Sequence, residues 1–554
     1  MDDAHAARAL VDRYWEGLLE TEPLLGTQVG DERYDDRLPD PSDAGIAART
    51  SLHRGALEEL ALIHRDLEDL GLRTTLDMLE AIAERGLAEI EHRLDRLQVV
   101  SHFWGPSQLL GELGSIQRAD TPERLERYLA RLRAVPAFYA AVSDVARSGV
   151  AAGVTAPRVV AERTVAQIER FLAVAVEESP ALMSVPEADA EGRTAVAAVL
   201  RSDALPGLAS FLAVVRDEYL PHATETIGLL AVPGGEAMYE AEILSWTTLP
   251  LDARHVHELG IEDLDEIQGE RRACAAALGS ADPEAAIREL NDSGRNSLSS
   301  KDELKALAET QVARGWSAAP GFFGRLPEQN CEVRLVEEFR EADMAFAFYQ
   351  PASEDGSRPG IYYVNGFELR DRPRHHLATT TYHEANPGHH FQIAIEQEMG
   401  DRPALRRFGG LMAGSAFAEG WGLYSERLAD EMGLFADEAE RLGMLDAQAH
   451  RAARLIVDTG IHALGWTRDR AIAQLEEAGV PHTDAVIETD RYITIPGQAL
   501  AYKIGQFEIE RHREEAAKRL GEAFSLSEFH DRLLALGSLP LPALRRELSR
   551  QVDA

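Results

Sequence analysis

The stretch Ala378-Thr379-Thr380-Thr381-Tyr382-His383-Glu384-Ala385-Asn386-Pro387-Gly388-His389-His390-Phe391 carries the most specific signal in the chain. A His-Glu pair on a helix, with a second histidine one turn later, delivers two metal ligands and a general base. Here the next histidines stand at +6 and +7 instead of +4. At about 100° per residue, +7 returns to the face of His383 but roughly 10 Å up the axis, and +6 points about 120° away. A regular helix therefore places neither His389 nor His390 on one ion with His383. Pro387 cannot donate the hydrogen bond to the His383 carbonyl and clashes with it. Gly388 permits unusual dihedrals. Two residues bulged out between Glu384 and His389 would restore the +4 relation for His389. The competing reading is a helix that ends near Asn386, a turn, and histidines that are merely polar.

Outward from this stretch the pattern is helical on both sides. Before it, apolar residues recur at helical spacing over 6–20, 57–70 and 76–99. Pro122 opens a further helix with Thr121 as its N-cap. Segments 155–176, 193–215 and 251–278 repeat the pattern, and 291–300 is the clearest polar break. Strand signals cluster just ahead of the His-Glu pair, at 331–336, 345–349 and 360–365, where β-branched and aromatic residues gather. One such strand could pair with an extended substrate backbone; the alternative is a structural hairpin. The fold class read from this is mostly α, a large multi-helix body with a small β element beside the site. It is taken as one domain over 1–554, with a possible subdivision at 1–250 and 251–554.

Composition narrows the partners. The 554 residues include 94 acidic and 57 basic side chains, a formal net charge of −37. That balance argues against nucleic acid and anionic membranes, which reward positive surface. No apolar run in the sequence approaches the 18 or more residues of a membrane span. Met1-Asp2-Asp3-Ala4-His5 lacks the basic start and apolar core of a secretory signal, which reads as cytoplasmic. Cys274 and Cys331 have no metal-type spacing and read as reduced structural residues.

A second segment, Ser415-Ala416-Phe417-Ala418-Glu419-Gly420-Trp421-Gly422-Leu423-Tyr424-Ser425-Glu426, places Glu419 30 residues past His389, after an apolar stretch. A buried carboxylate needs a partner or a metal. Glu426 shares its helical face. One of the two could ligate while the other orients a histidine. The alternative is a helix with two acidic surface positions.

These motifs resemble a large bacterial family catalogued as domain of unknown function 885. The resemblance rests on His383 to Gln392; on Glu419-Gly420-Trp421 with Tyr424 and Glu426; on Val457-Asp458-Thr459-Gly460-Ile461-His462 with Gly465-Trp466; and on Arg491-Tyr492 through Pro496-Gly497-Gln498 to Tyr502-Lys503-Ile504-Gly505. It extends over nearly the whole chain. It implies likeness to helical zinc metallopeptidases of the carboxypeptidase Taq type, with a deep cleft. It implies a zinc site of two histidines and a glutamate, His383, His389 and Glu419, with Glu384 as general base. Tyr502 and His462 are then candidates to donate to the oxyanion. Lys503, Arg491 and Arg454 are candidates for a substrate carboxylate. The expected activity is zinc-dependent hydrolysis of peptide or related amide bonds in a small molecule or short peptide. Two alternatives stand beside it: a pathway hydrolase acting on a non-peptide acyl or amide bond, and a non-catalytic metal-binding protein.

Overall fold

The computed structural model describes residues 3–65, 67–337, 341, 344–352, 358–369, 372–400 and 402–553. Helix follows helix as far as Ala318, and again from Leu377 to the end. The amphipathic stripes become helices with small shifts of boundary. The 6–20 stripe is Asp3–Thr21, which buries Leu10, Val11, Tyr14 and Leu18. Thr121 caps Pro122–Ala152 as its sequence predicts, its side chain accepting from the Arg124 N–H. Asp252 does the same for Ala253–Ala277.

The stripes at 57–70 and 76–99 are corrected. The helices run Asp43–Leu60 and Leu70–Glu91, because Asp69 takes an extended backbone and caps the second one through Leu72 N–H. The apolar spacing carries no mark of that cap.

One helix departs from the reading that no apolar run reaches membrane length. Ala190–His222 spans 33 residues and, among the described residues, is long and apolar enough by length and composition to cross a bilayer. It is interrupted by two π-helical segments, 200–204 and 215–219. Half of its apolar window is buried inside the protein. Phe211 stacks on Tyr139 at 5.4 Å, and a Cβ on Gly207 would lie 3.0 Å from Pro136 Cα. Its apolar face is thus filled by the long helix 122–152.

The predicted β element forms a three-stranded mixed sheet. β1 (Glu332–Leu335) runs parallel to β3 (Ile361–Val364), and β2 (Ala347–Gln350) runs antiparallel to β3. The order is β1-β3-β2, so β2 is an outer strand. β3 is buried throughout, as its Ile-Tyr-Tyr-Val composition demands. The sheet packs on Lys301–Ala318 and on Leu377–Glu384.

The hydrophobic cores do not respect position 250. The largest joins residues between Val99 and Ile227 to residues between Ala453 and Ala499. A second joins Leu229–Val256 positions to the last helices. The central strut is Glu438–Leu464, most of whose residues are buried. It packs along Ala253–Ala277 and touches elements from both halves of the chain.

Candidate metal centre

The first motif folds as two helices rather than one bulged helix. Leu377–Glu384 ends at Ala385, whose φ/ψ of −109°/−107° is not helical, and His389–Gln397 begins after Gly388 at −77°/−132°. The Asn386–Pro387 bond is cis. This corrects the expected bulge: the missing Pro387 N–H ends the ladder outright. Gly388 is required by close approach, since a Cβ there would sit 1.8 Å from the His383 carbonyl oxygen. The turn is clamped from outside. Trp421 Nε1 donates to the carbonyls of Pro387 and Gly388, and Asn386 Nδ2 donates to Asn330 Oδ1.

The break nonetheless brings the histidines together. The rings of His383 and His389 lie 4.7 Å apart at 88°. Glu419, on Ala416–Glu431, places Oε2 3.6 Å from His383 Nε2 and 3.7 Å from His389 Nε2. Those separations exceed a hydrogen bond. They approach the edge, about 3.4 Å, of a tetrahedron of zinc ligands at about 2.0–2.1 Å. Ligand atoms of His383, Glu384 and His389 also lie within 4.8 Å of one another. His390 is turned away: Nδ1 meets Tyr349 Oη at 2.9 Å and Nε2 meets the Gln329 carbonyl at 3.1 Å.

Glu426, two turns along the same helix, holds His383 Nδ1 at 2.8 Å. Its other oxygen accepts from Thr379 Oγ1 at 2.9 Å and from Gln448 Nε2 at 3.4 Å. A histidine that gives its Nδ1 proton to a carboxylate presents Nε2 as a lone pair, which is how metal-binding histidines are oriented. Gly422 leaves room for that ring, because a Cβ there would lie 2.7 Å from His383 Cε1. The electrostatics favour a cation at this point. Against burial, which opposes charge, the Glu419 and Glu426 carboxylates push His383 up to about 10. Glu419 itself is held well below the carboxylate range by His383 and His389, although burial pushes the other way. Two imidazole nitrogens, a carboxylate and a partly open face suit zinc. The donor set therefore fits the metal that the resemblance implies.

Glu384 is placed by backbone. Its Oε2 accepts from the Tyr349 N–H at 3.1 Å, from the edge of β2. The outer strand thus meets the site through the candidate base.

The remaining candidates divide. Tyr502 lies under Arg454, whose guanidinium is 4.3 Å from the ring centroid, and its hydroxyl is 3.3 Å from Arg491 Nη2. It sits one turn before Gly505, which meets Gly420 so closely that a Cβ on either would overlap the other backbone. The helix of Tyr502 thus crosses the helix of Glu419 at this point. His462 and Lys503 are corrected. His462 accepts from the Leu229 N–H at Nδ1 and donates from Nε2 to the Tyr492 carbonyl, so it has no donor left for an oxyanion. Lys503 is 1% exposed and spends its ammonium on Asp263, 2.8 Å away, and Gln448. Asp458 shows what the third motif does: it accepts from the Gly497 N–H and from Tyr239, fixing the turn that leads to Tyr502. Thr379, Gln448, Arg451 and the Tyr349 backbone were not singled out in the sequence. Thr379 lies one turn before His383, which was the available signal.

Comparison with known proteins shows the family and the fold. The model of the family described as bacterial protein of unknown function, DUF885, matches residues 23–548, and the chain belongs to that family. A solved structure from Colwellia psychrerythraea, described as a "putative lipoprotein", matches with a TM-score of 0.91 at 25% identity over 100% of both chains. A second, from Shewanella oneidensis and described in the same terms and as of unknown function, matches with a TM-score of 0.78 at 19% identity, over 97% of this chain and 98% of that one. The search of curated proteins gave no significant match.

Proposed function

We propose that this protein is a zinc-dependent hydrolase of peptide or related amide bonds. The observation that carries the proposal is the convergence of His383 Nε2, His389 Nε2 and Glu419 Oε2, with the Glu384 carboxylate beside them. Zinc held by those three side chains would polarise the scissile carbonyl and acidify a water. Glu384, fixed by the Tyr349 N–H, takes a proton from the attacking water as its oxygen bonds to the carbonyl carbon. It then gives that proton to the nitrogen as the C–N bond breaks. Tyr502, whose oxygen accepts from Arg491, keeps its own proton to donate to the developing oxyanion. The partly open side of the site, where Glu419 and His389 keep 22% and 14% of their side-chain surface, is where we place the substrate cleft.

Replacing Glu384 by Gln should leave about one zinc per chain and lower kcat by about 10²–10⁴-fold on any verified substrate. Full activity in that variant would remove the mechanism. The lipoprotein description of the two solved relatives stands against the cytoplasmic placement read from the first residues, and subcellular fractionation decides between them.

A further inference from the structure

Three arginines with unpartnered buried N–H groups gather on and beside helix 438–464, in a chain whose formal net charge is −37. Arg454 is 4% exposed. Its Nε donates to Tyr492 Oη at 3.1 Å and its Nη2 to Glu488 Oε2 at 3.0 Å, while Nη1 is buried and has no hydrogen-bond partner. Arg491 bonds Gln498 Oε1 at 2.7 Å, Tyr502 Oη at 3.3 Å and Glu488 Oε1 at 3.4 Å, and its Nε is likewise buried and unpartnered. Arg451, one turn before Arg454, has a buried unpartnered Nε as well, and its charge acts on Glu426 and His450.

The acidic side is short. Glu488 serves both Arg454 and Arg491, accepts from Tyr492 Oη at 2.7 Å and has His450 at 3.7 Å. Asp484, a turn earlier, faces Arg372 and His376 as well as Glu488. Glu426 is taken by His383. A guanidinium in low dielectric with an unmet N–H carries a desolvation cost that an anion removes. The face is reachable: Arg491, Glu488 and His450 keep 17–19% of their side-chain surface.

Two links set this face against the metal centre. Arg451 neighbours Glu426, which holds His383. Tyr502, stacked under Arg454, is one turn from the Gly505–Gly420 crossing beside Glu419. One to two helical turns amount to roughly 5–10 Å, the length of about one to three residues of extended substrate.

We propose that the substrate carries a carboxylate bound by Arg454 and Arg491, with Arg451 in support, one to three residues from the bond that is cut. The carboxylate is either a free carboxy end or an acidic side chain. The assignment of that anion to a substrate rests on the hydrolase reading; the anion site itself does not.

The test uses the zinc-loaded full chain carrying Glu384→Gln, so that nothing is turned over, and calorimetry with three probes: N-acetyl-Ala-Ala, its carboxy-terminal amide, and N-acetyl-Ala-Asp-amide. The free acid should bind about 10–100-fold tighter than its amide, the range for charge-assisted hydrogen bonds. The preference should vanish on adding Arg491→Gln or Arg454→Gln, with zinc content unchanged. Arg491 is the more exposed of the two, so its variant remains informative if the other folds poorly. Tight binding of the Asp amide assigns the site to an acidic side chain, and weak binding assigns it to a carboxy end. Equal binding of acid and amide, no measurable binding of the acid, or a preference that survives both substitutions overturns the proposal. Turnover is read separately with Glu384 intact. A protein that prefers the acid but cleaves none of the probes keeps its anion site and loses the support for hydrolysis.

Discussion

Two histidine–carboxylate clusters stand at opposite ends of one short helix. At one end His383, His389 and Glu419 converge. At the other His375, His376 and Asp446 do, with ligand atoms within 4.8 Å of one another. The residue types are the same and the outcome differs. Asp446 has Arg271 at 2.7 Å, and both are buried. His375 gives Nδ1 and its backbone N–H to Asn296 Oδ1. A guanidinium already occupies the place of the cation there. Around Glu419 no arginine or lysine forms an ion pair among the described residues, and the second carboxylate, Glu426, orients a histidine instead. Proximity of ligand types is therefore common to both clusters, while an arginine pairs with the ligand carboxylate of only one among the described residues.

The sharpest way to break this comparison is metal content. His389→Ala should lose the zinc and the activity, and His376→Ala should keep about one zinc per chain by elemental analysis. The reverse pattern would exchange the roles of the two clusters. Next in size is stability. Asp446→Asn leaves the buried Arg271 uncompensated and should cost about 3–5 kcal/mol in denaturant unfolding, with zinc retained. A loss below about 1 kcal/mol would mean that Arg271 is not the cation that saturates the cluster.

Glu426→Gln weakens orientation without removing a ligand. Its zinc affinity should fall about 10–100-fold in competition with a chelator, and unchanged affinity would make Glu426 a bystander.

A separate effect, read as a pH dependence, concerns a buried carboxylate with no cation bonded to it among the described residues. Among the described residues Glu242 is hydrogen-bonded to Trp246 Nε1, and burial, with Glu89 adding to it, pushes it from 4.5 up to about 8. Between those values the folded chain holds a proton that the unfolded chain has released. Stability contributed by Glu242 is thus full below about pH 4.5 and is lost as pH rises through about 8. Glu242→Gln should raise the Tm at pH 8 relative to wild type and leave it nearly unchanged at pH 4.5; equal pH profiles would show that Glu242 is charged in the fold.

Much of this was legible in the residues because the determinants are local. Helical spacing, the Thr121 cap and the β-rich runs before His383 need only a few neighbours to read. The meeting of His383 with His389 was legible for a similar reason, as Pro387 and Gly388 announce an irregular helix next to two histidines. The details of that break were not, since the carbonyls of the turn are held by Trp421 on another helix. Lys503 and His462 were misplaced because their partners, Asp263 and Leu229, lie more than two hundred positions away. Nothing near Lys503 in the chain records that its ammonium is already paired. Arg451 was missed for the converse reason: a charge in a helical pattern reads as solvated until burial is known.

The shared core of residues 99–227 and 453–499 has a consequence on the ribosome. The first part leaves the exit tunnel with the buried face of helix 158–173 still lacking the partners on helix 482–494 that pack against it. Those partners follow only after residues 228–452 are made, roughly 10–45 s later at ordinary elongation rates. For that interval the nascent chain presents an apolar face with nothing of its own to close it, so early chaperone engagement should matter more to the yield of this protein than the stability of its finished fold.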